Sequence, residues 1–373
     1  MKKFKVATVL GTRPEIIRLA ECIKLCDKYF DHILIHTGQN YDYELNEIFF
    51  EDLDLRKPDV FLNVAGKNLG ETIGNVIAKS YEVLAKEMPD ALLVLGDTNS
   101  VLCTIAAKRL KIPIFHMEAG NRCFDQNVPE EINRKISDQI SDINLTYTEN
   151  SRRYLLSEGF RKDHVFVTGS PLFEVLEKYK QKIDAADVVS RLGLEDQKYI
   201  VVSAHREENI DIKNHFEILS ESLNAVAEKY QLPIIFSTHP RTKNRIEANK
   251  ITFHPLIKNV PPLGFFDYVK LQKHAFVVLS DSGTISEEAA MMGFPAVSIR
   301  TSTERPEAID WGTIVLGGIS KESMINSIEI ARGLSLDEES QLPFEYSIKN
   351  TSARVIRVIQ SYTPIINKVI WDK

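Results

Sequence analysis

Short, unbroken apolar runs alternate with longer amphipathic stretches along most of the chain. "FKVATVL" (4–10), "HILIHT" (32–37), "ALLVLGD" (91–97), "IPIFHME" (112–118), "INLTYT" (143–148) and "HVFVTG" (164–169) read as strands. Strands this continuously apolar are covered on both faces, as in a parallel sheet. Residues 68–88 and 99–110 have the length and spacing of helices. A second series follows: "YIVVSAH" (199–205), "PIIFSTH" (233–239), "ITFH" (251–254), "AFVVLSD" (275–281), "PAVSIR" (295–300) and "TIVLGG" (313–318). The doubled pattern predicts an α/β fold of two doubly wound, Rossmann-like domains. The expected domains are 1–170 and 171–350, with an amphipathic helix at about 351–373 packing back on the first.

Two segments underline the repetition. "ALLVLGDTNSVLCTIAAKRLKIPIF" starts at Ala91 and "AFVVLSDSGTISEEAAMMGFPAVSI" at Ala275. Each gives a strand, an Asp, small hydroxyl residues, a helix with paired alanines, then X-Pro and another strand. Asp97 and Asp281 hold equivalent places. A common architecture for the halves and the general likeness of all βαβ units both account for this.

Composition narrows the class. The 373 residues carry a formal net charge of -6, which argues against a general nucleic-acid binder. No apolar run approaches the roughly 18 residues of a membrane span, and "VATVL" is too short for a secretion signal. Cys22, Cys26, Cys103 and Cys123 form no CxxC pair, so buried thiols in a cytoplasmic protein are expected. No HExxH spacing indicates a metal, no G-x-S-x-G indicates a serine hydrolase, and no G-x-G-x-x-G indicates a nicotinamide cofactor. No cofactor is expected.

Ligands of open α/β sheets bind beyond the carboxyl ends of the strands, so polar residues just there carry the candidate chemistry. In "GTRPE", Arg13 stands at a helix N-terminus, placed for an anion or for a local carboxylate. "SDSGTISEE" offers Ser282, Gly283 and Thr284 to a phosphate, while Ser280 or Asp281 equally suits an N-cap. Glu288, a turn later, can hold ribose hydroxyls, and "TSTERPEA" supplies Arg305 as a second phosphate partner. His205, in "SAHREEN", follows a strand, as do Asp97 in "GDTNS" and Glu118 in "HMEAG".

Taken together, these motifs resemble the non-hydrolysing UDP-N-acetylglucosamine 2-epimerases. The resembling stretches are "GTRPEIIRLA", "HTGQNYD", "LGDTNS", "HMEAGNR", "VPEEINR", "TGSP", "HREEN", "THPR", "PLGFFDYVKL", "LSDSGTISEEA" and "TERPEA". They occur in the family's order over roughly residues 1–320. The resemblance implies a glycosyltransferase-B type fold with an interdomain active-site cleft, a UDP-N-acetyl sugar as substrate, and a homodimer. It places Asp97, Glu118, Glu130 and His205 at catalytic positions. It places Arg13, Arg18, Tyr268, Ser282, Gly283, Thr284, Glu288 and Arg305 against UDP. Glu131, about 100° around the helix from Glu130, is expected to serve the fold or a salt bridge.

Common family versions carry "GQH", "HRREN" and "SDSGG", where this chain has Asn40, Glu207 and Thr284. The shortened loop "GNRCFDQNVPEEINRK" resembles the branch that epimerises UDP-2-acetamido-2,6-dideoxy-L-talose to UDP-N-acetyl-L-fucosamine. Asn40 and Glu207 also fall in loops of the second, activating UDP-GlcNAc site of bacterial relatives, which puts that site in question here.

The chemistry explains the residue types. C2 of an N-acetyl sugar has no adjacent carbonyl, so its proton is not acidic. Breaking the C1–O bond to UDP makes that proton removable and leaves a 2-acetamidoglycal. Returning the proton on the opposite face and adding UDP back gives the epimer. The route needs a held nucleotide, acid–base groups reaching both ring faces, and exclusion of water. The rival expectations are the generic UDP-GlcNAc/UDP-ManNAc 2-epimerase, a glycosyltransferase of the same fold, an inert UDP-sugar sensor and a hydrolysing relative.

Overall fold

The computed structural model describes residues 3–39, 43–206, 209, 213–238, 242, 245–246, 251–334 and 342–373. Asn40 and Glu207 lie outside them. The chain divides into two compact units, Met1–Lys178 with Ser347–Lys373, and Tyr179–Tyr346. The sequence placed the junction at 170/171, ahead of the helix Pro171–Lys178, which belongs to the first unit.

In the first unit β1 (Lys5–Leu10), β2 (Asp31–His36), β3 (Val60–Phe61), β4 (Ala91–Leu95), β5 (Ile114–Met117), β6 (Ile143–Thr146) and β7 (Val165–Val167) form one sheet. Its order is β3-β2-β1-β4-β5-β6-β7, and every pairing is parallel. The helix Leu69–Glu87 starts where the spacing predicts, with the Asn68 side chain accepting from the Glu71 N–H at 2.9 Å. It ends at Met88 in the left-handed conformation (φ 44°). The helix Thr351–Val369 packs against Arg13–Tyr29 and Pro171–Lys178, within this unit.

The second unit contains β8 (Ile200–Ser203), β9 (Ile234–Ser237), β10 (Ile257–Val260), β11 (Val277–Ser280), β12 (Ala296–Ser298) and β13 (Val315–Leu316). They form a parallel sheet ordered β10-β9-β8-β11-β12-β13. Successive residues face opposite layers, as the pleat requires. Ile200 and Val202 join a core with Phe216, Leu223 and Met324, while Tyr199 and Val201 join one with Leu271, Ile285 and Ala289. Full burial of each such side chain contributes about 1.5–3 kcal/mol.

Residues 251–254, read from sequence as a strand, lie outside the sheet. The edge strand is instead "IKNV", 257–260, with Lys258 and Asn259 exposed. Exposed polar residues at two successive positions, one on each face, break the apolar run by which the other strands were recognised. β3, two residues long, was too short to signal itself.

Gly120 sits at φ +79°, and a Cβ there would lie 2.4 Å from the carbonyl oxygen of Ser151. Gly120→Ala is therefore expected to cost about 2 kcal/mol or more, read as a lowered denaturation midpoint at unchanged slope. Wild-type stability in that variant would contradict the tight approach.

Candidate functional site

In the first unit the candidate carboxylates stand on neighbouring turns. Leu95 and Met117 are register partners of β4 and β5, and the Gly96 N–H donates to Met117 O at 3.0 Å. Asp97 and Glu118 thus follow adjacent strand ends. A Cβ placed on Gly96 would lie 3.8 Å from Oε2 of Glu118. Glu118 itself is a non-glycine residue in the left-handed region (φ 64°), a backbone choice that costs energy and marks a site worth explaining.

Each carboxylate meets one guanidinium. Arg18, buried in the helix Arg13–Tyr29, pairs with Glu118 Oε2, which also accepts from the Tyr147 hydroxyl at 3.2 Å. The same guanidinium lies 5.6 Å from the Tyr147 ring centroid. Asp97 pairs with Arg134. Arg134 also binds Glu131 at 2.6 Å, and Asn133 donates to the Asp97 carbonyl at 3.0 Å. The "PEEINR" motif therefore brings helix Pro129–Ile140 onto the Asp97 turn through Asn133 and Arg134. Glu131 forms the salt bridge expected of it. Glu130 is half-buried in the first turn of that helix. Asp125 accepts from the Asn127 N–H at 2.9 Å, closing its own loop.

At the first strand's end Pro14 occupies the opening turn of the helix and Arg13 lies 6.0 Å from the Phe49 ring centroid. Glu15, missed by the sequence reading, is 1% exposed. It accepts from the Gly11 N–H (2.9 Å) and from the hydroxyls of Thr12 (2.8 Å) and Thr98 (3.1 Å). Burial drives its pKa up to about 7, against these hydrogen bonds. An N-terminal Glu reaching back to the orphan N–H is the one available cue in "GTRPE".

In the second unit Ser203 and Ser280 are register partners of β8 and β11, which brings His205 beside Asp281. Asp281 is fully buried and accepts from the N–H groups of His205 (3.0 Å) and Arg206 (3.0 Å) and from Asn209 (3.1 Å). Nδ1 of His205 lies 3.2 Å from it, with the imidazole half-exposed. Burial alone would raise the Asp281 pKa. The His205 charge and these donors outweigh burial and hold it below the usual carboxylate value. Asp281 thus anchors a turn rather than mirroring Asp97.

The Ser282–Thr284 turn leads into helix Ile285–Met292, and neither Ser280 nor Asp281 caps it. The cap position is Thr284, without a side-chain cap bond. Its hydroxyl donates to Glu288 Oε1 at 2.6 Å, and Gln272 donates to Glu288 Oε2 at 2.6 Å. Tyr268 bonds Ser203 and feels the Glu288 charge; burial first, then that charge, raises its pKa. Tyr268, Thr284 and Glu288 are therefore neighbours. A Cβ on Gly283 would lie 3.4 Å from Nη2 of Arg206 and from Oε2 of Glu304.

Arg305 is 3% exposed, with Nε 2.6 Å from the fully buried Glu287. Arg18 is buried likewise. Among the described residues no cluster of three or more His, Cys, Asp and Glu side chains could hold a metal. No helix among them is long and apolar enough to cross a membrane.

A family model described as UDP-N-acetylglucosamine 2-epimerase matches residues 24–360. The chain belongs to the UDP-N-acetylglucosamine 2-epimerase family. It is an isomerase acting on UDP-sugars at C2, without net hydrolysis. A solved UDP-N-acetylglucosamine 2-epimerase from Rickettsia bellii is 46% identical and covers 100% of both chains, with a TM-score of 0.92. The Methanocaldococcus jannaschii enzyme of that name is 36% identical over 95% of this chain and 98% of its own length. Its structure in complex with UDP-GlcNAc and UDP gives a TM-score of 0.89, at 34% identity over 95% and 99%. A Pseudomonas aeruginosa UDP-2,3-diacetamido-2,3-dideoxy-D-glucuronate 2-epimerase is 33% identical over 91% and 95%. The two parallel sheets match the glycosyltransferase-B-like structures of these 2-epimerases.

The Glu15 shift makes a signed prediction for this 2-epimerase. Its folded value near 7 exceeds the ordinary 4.5, so the folded chain keeps a proton that the unfolded chain releases between them. The stability from this group is full below about pH 4.5 and is lost as pH rises through 7. Glu15→Gln should flatten the fall in melting temperature between pH 5 and pH 8. The difference at pH 8 is on the order of 3 kcal/mol in favour of the variant. Parallel profiles for the two proteins would place the titration elsewhere.

Proposed function

We propose that the chain interconverts UDP-2-acetamido-2,6-dideoxy-L-talose and UDP-N-acetyl-L-fucosamine by eliminating UDP to a 2-acetamidoglycal and adding it back. The observation that carries the elimination route is the pairing of Asp97 and Glu118 on adjacent strand ends, Glu118 held there at a backbone cost. Left-handed residues also end helices, as at Met88, so the weight lies on the place of Glu118 at a strand end beside the Asp97 turn.

In this reading the first unit supplies acid–base chemistry and the second grips the nucleotide. Asp97, Glu118 and Glu130 are the proton-transfer groups, two of them serving opposite faces of C2. As the C1–O bond breaks, one carboxylate takes the C2 proton, the electron pair forms the C1–C2 double bond, and UDP leaves. His205 stabilises or protonates the departing phosphate, aided by Arg13. Ser282, Gly283 and Thr284 receive the diphosphate, Glu288 the ribose and Tyr268 the uracil. Arg18 and Arg305, paired with Glu118 and Glu287, complete the contacts to UDP. The protein works in the cytoplasm as a homodimer, and its product feeds capsule or O-antigen synthesis.

The 6-deoxy-L-talo substrate is supported by Asn40, Glu207 and Thr284 and by the short Glu118–Glu130 loop. Thr284 brings a hydroxyl onto Glu288 where common family members have glycine. A second reading, interconversion of UDP-GlcNAc and UDP-ManNAc, is favoured by the names of the R. bellii and M. jannaschii proteins.

NMR of the purified protein in D2O with the 6-deoxy-L-talo and gluco UDP-sugars tests both parts. Deuterium at C2 without acceptor is expected, with the talo substrate turned over roughly tenfold or more faster. Turnover of UDP-GlcNAc alone would overturn the substrate, and sugar transfer without exchange would overturn the reaction. Asp97→Asn and Glu118→Gln should each lower kcat about 100-fold to 10,000-fold.

A further inference from the structure

We propose that His116 and Asp138 are positioning residues of the epimerisation, holding the Asp97 and Glu118 turns in one fixed register. The proposal rests on the assignment of those two carboxylates to proton transfer. His116 is fully buried within β5. Its Nε2 lies 2.7 Å from the carbonyl oxygen of Gly96, the residue before Asp97. Its Nδ1 lies 2.9 Å from Oδ1 of Asp138, also fully buried. The ring thus stands between the carbonyl of the Asp97 turn and the Asp138 carboxylate.

Asp138 reaches the second turn as well. Its oxygens accept from the N–H of Gly120, two residues after Glu118, at 3.3 and 3.2 Å. Its Oδ2 accepts from Arg122 at 2.7 Å. Arg122 forks onto Glu158 at 2.8 and 2.6 Å and donates to the Asn121 carbonyl at 2.7 Å. The side chain of Asn121 donates back to Glu118 Oε1 at 3.4 Å. One buried carboxylate therefore ties Gly96 on one turn to Gly120 on the other.

A buried ionic network of this kind is a poor source of stability, because desolvation offsets the attraction and apolar replacements often fold as well. Its backbone attachments, however, end on the two turns that carry the proposed proton-transfer groups. A displacement of about 1 Å at such groups costs on the order of 100-fold in rate.

The test uses Asp138→Asn, which keeps shape but places an amide among donors, and His116→Gln, which carries the test if the first fails to fold. Arg122→Lys keeps the charge and loses the fork. Steady-state kinetics, UDP affinity by calorimetry and thermal melts are measured on each. The expected result is kcat lowered about 10–100-fold with KM and UDP affinity little changed, and a smaller loss for Arg122→Lys. A purely structural role would lower the melting temperature and leave kcat per folded molecule unmoved. Folded Asp138→Asn and His116→Gln enzymes with wild-type kcat overturn the proposal, while loss in Asp97→Asn and Glu118→Gln would leave the underlying assignment standing. Wild-type kcat in those last two variants would instead remove the assignment, and this proposal with it.

Discussion

A parallel sheet packed on both faces has no solvated side, and that constraint governs where chemistry resides in this chain. Strand residues such as Val94, Leu145, Val202 and Leu279 are spent on the cores. Groups that must meet water or a ligand are driven to the turns beyond the carboxyl ends, as Asp97, Glu118, His205 and Ser282 are. A polar side chain that remains inside a strand must be fully partnered, because its desolvation is otherwise uncompensated. His116 lies between a carbonyl and a carboxylate, 2.7 Å from Gly96 O and 2.9 Å from Asp138 Oδ1. His36 stacks on Phe61 at 4.8 Å, and its Nδ1 accepts from the Gly38 N–H at 3.0 Å. Burial lowers the His36 pKa to about 4.

The two units run the same strand order and put matching aspartates to opposite uses. Asp97 is partly open, with 19% of its side chain exposed, and meets a guanidinium from a distant helix. Asp281 is sealed and turned back on its own neighbourhood, where it accepts from His205, Arg206 and Asn209. The difference lies in what each aspartate is offered. The first unit provides Arg134 from the helix Pro129–Ile140 across the strand ends. The second provides backbone N–H groups from the turn after β8.

Much of the fold was legible because it follows local rules. Apolar runs marked most strands, the spacing over 68–88 marked a helix, and the Ala91 and Ala275 segments revealed the repeated unit. β10 escaped because Lys258 and Asn259 interrupt its apolar run in the middle. The candidate site was legible as positions at strand ends and as motifs, but not as partnerships. Arg18 meets Glu118 across 100 residues and Arg134 meets Asp97 across 37. No local pattern states that Arg305 will be buried on Glu287, or that Asp138 will join two turns. Such pairings arise from the sheet's register and appear only when the strands are laid side by side.

Glu118 in the left-handed region carries a further consequence for evolution and for engineering. Selection for foldability alone would drift that position toward glycine or asparagine, whose backbones accept positive φ more readily. With Glu118 as the proposed proton-transfer group, a glutamate there is under two opposed pressures, and a stabilising library screened without turnover would discard it early. The residue thus serves as a built-in reporter. Variants that gain thermal robustness by relieving this turn would be the ones to inspect first for silent enzymes.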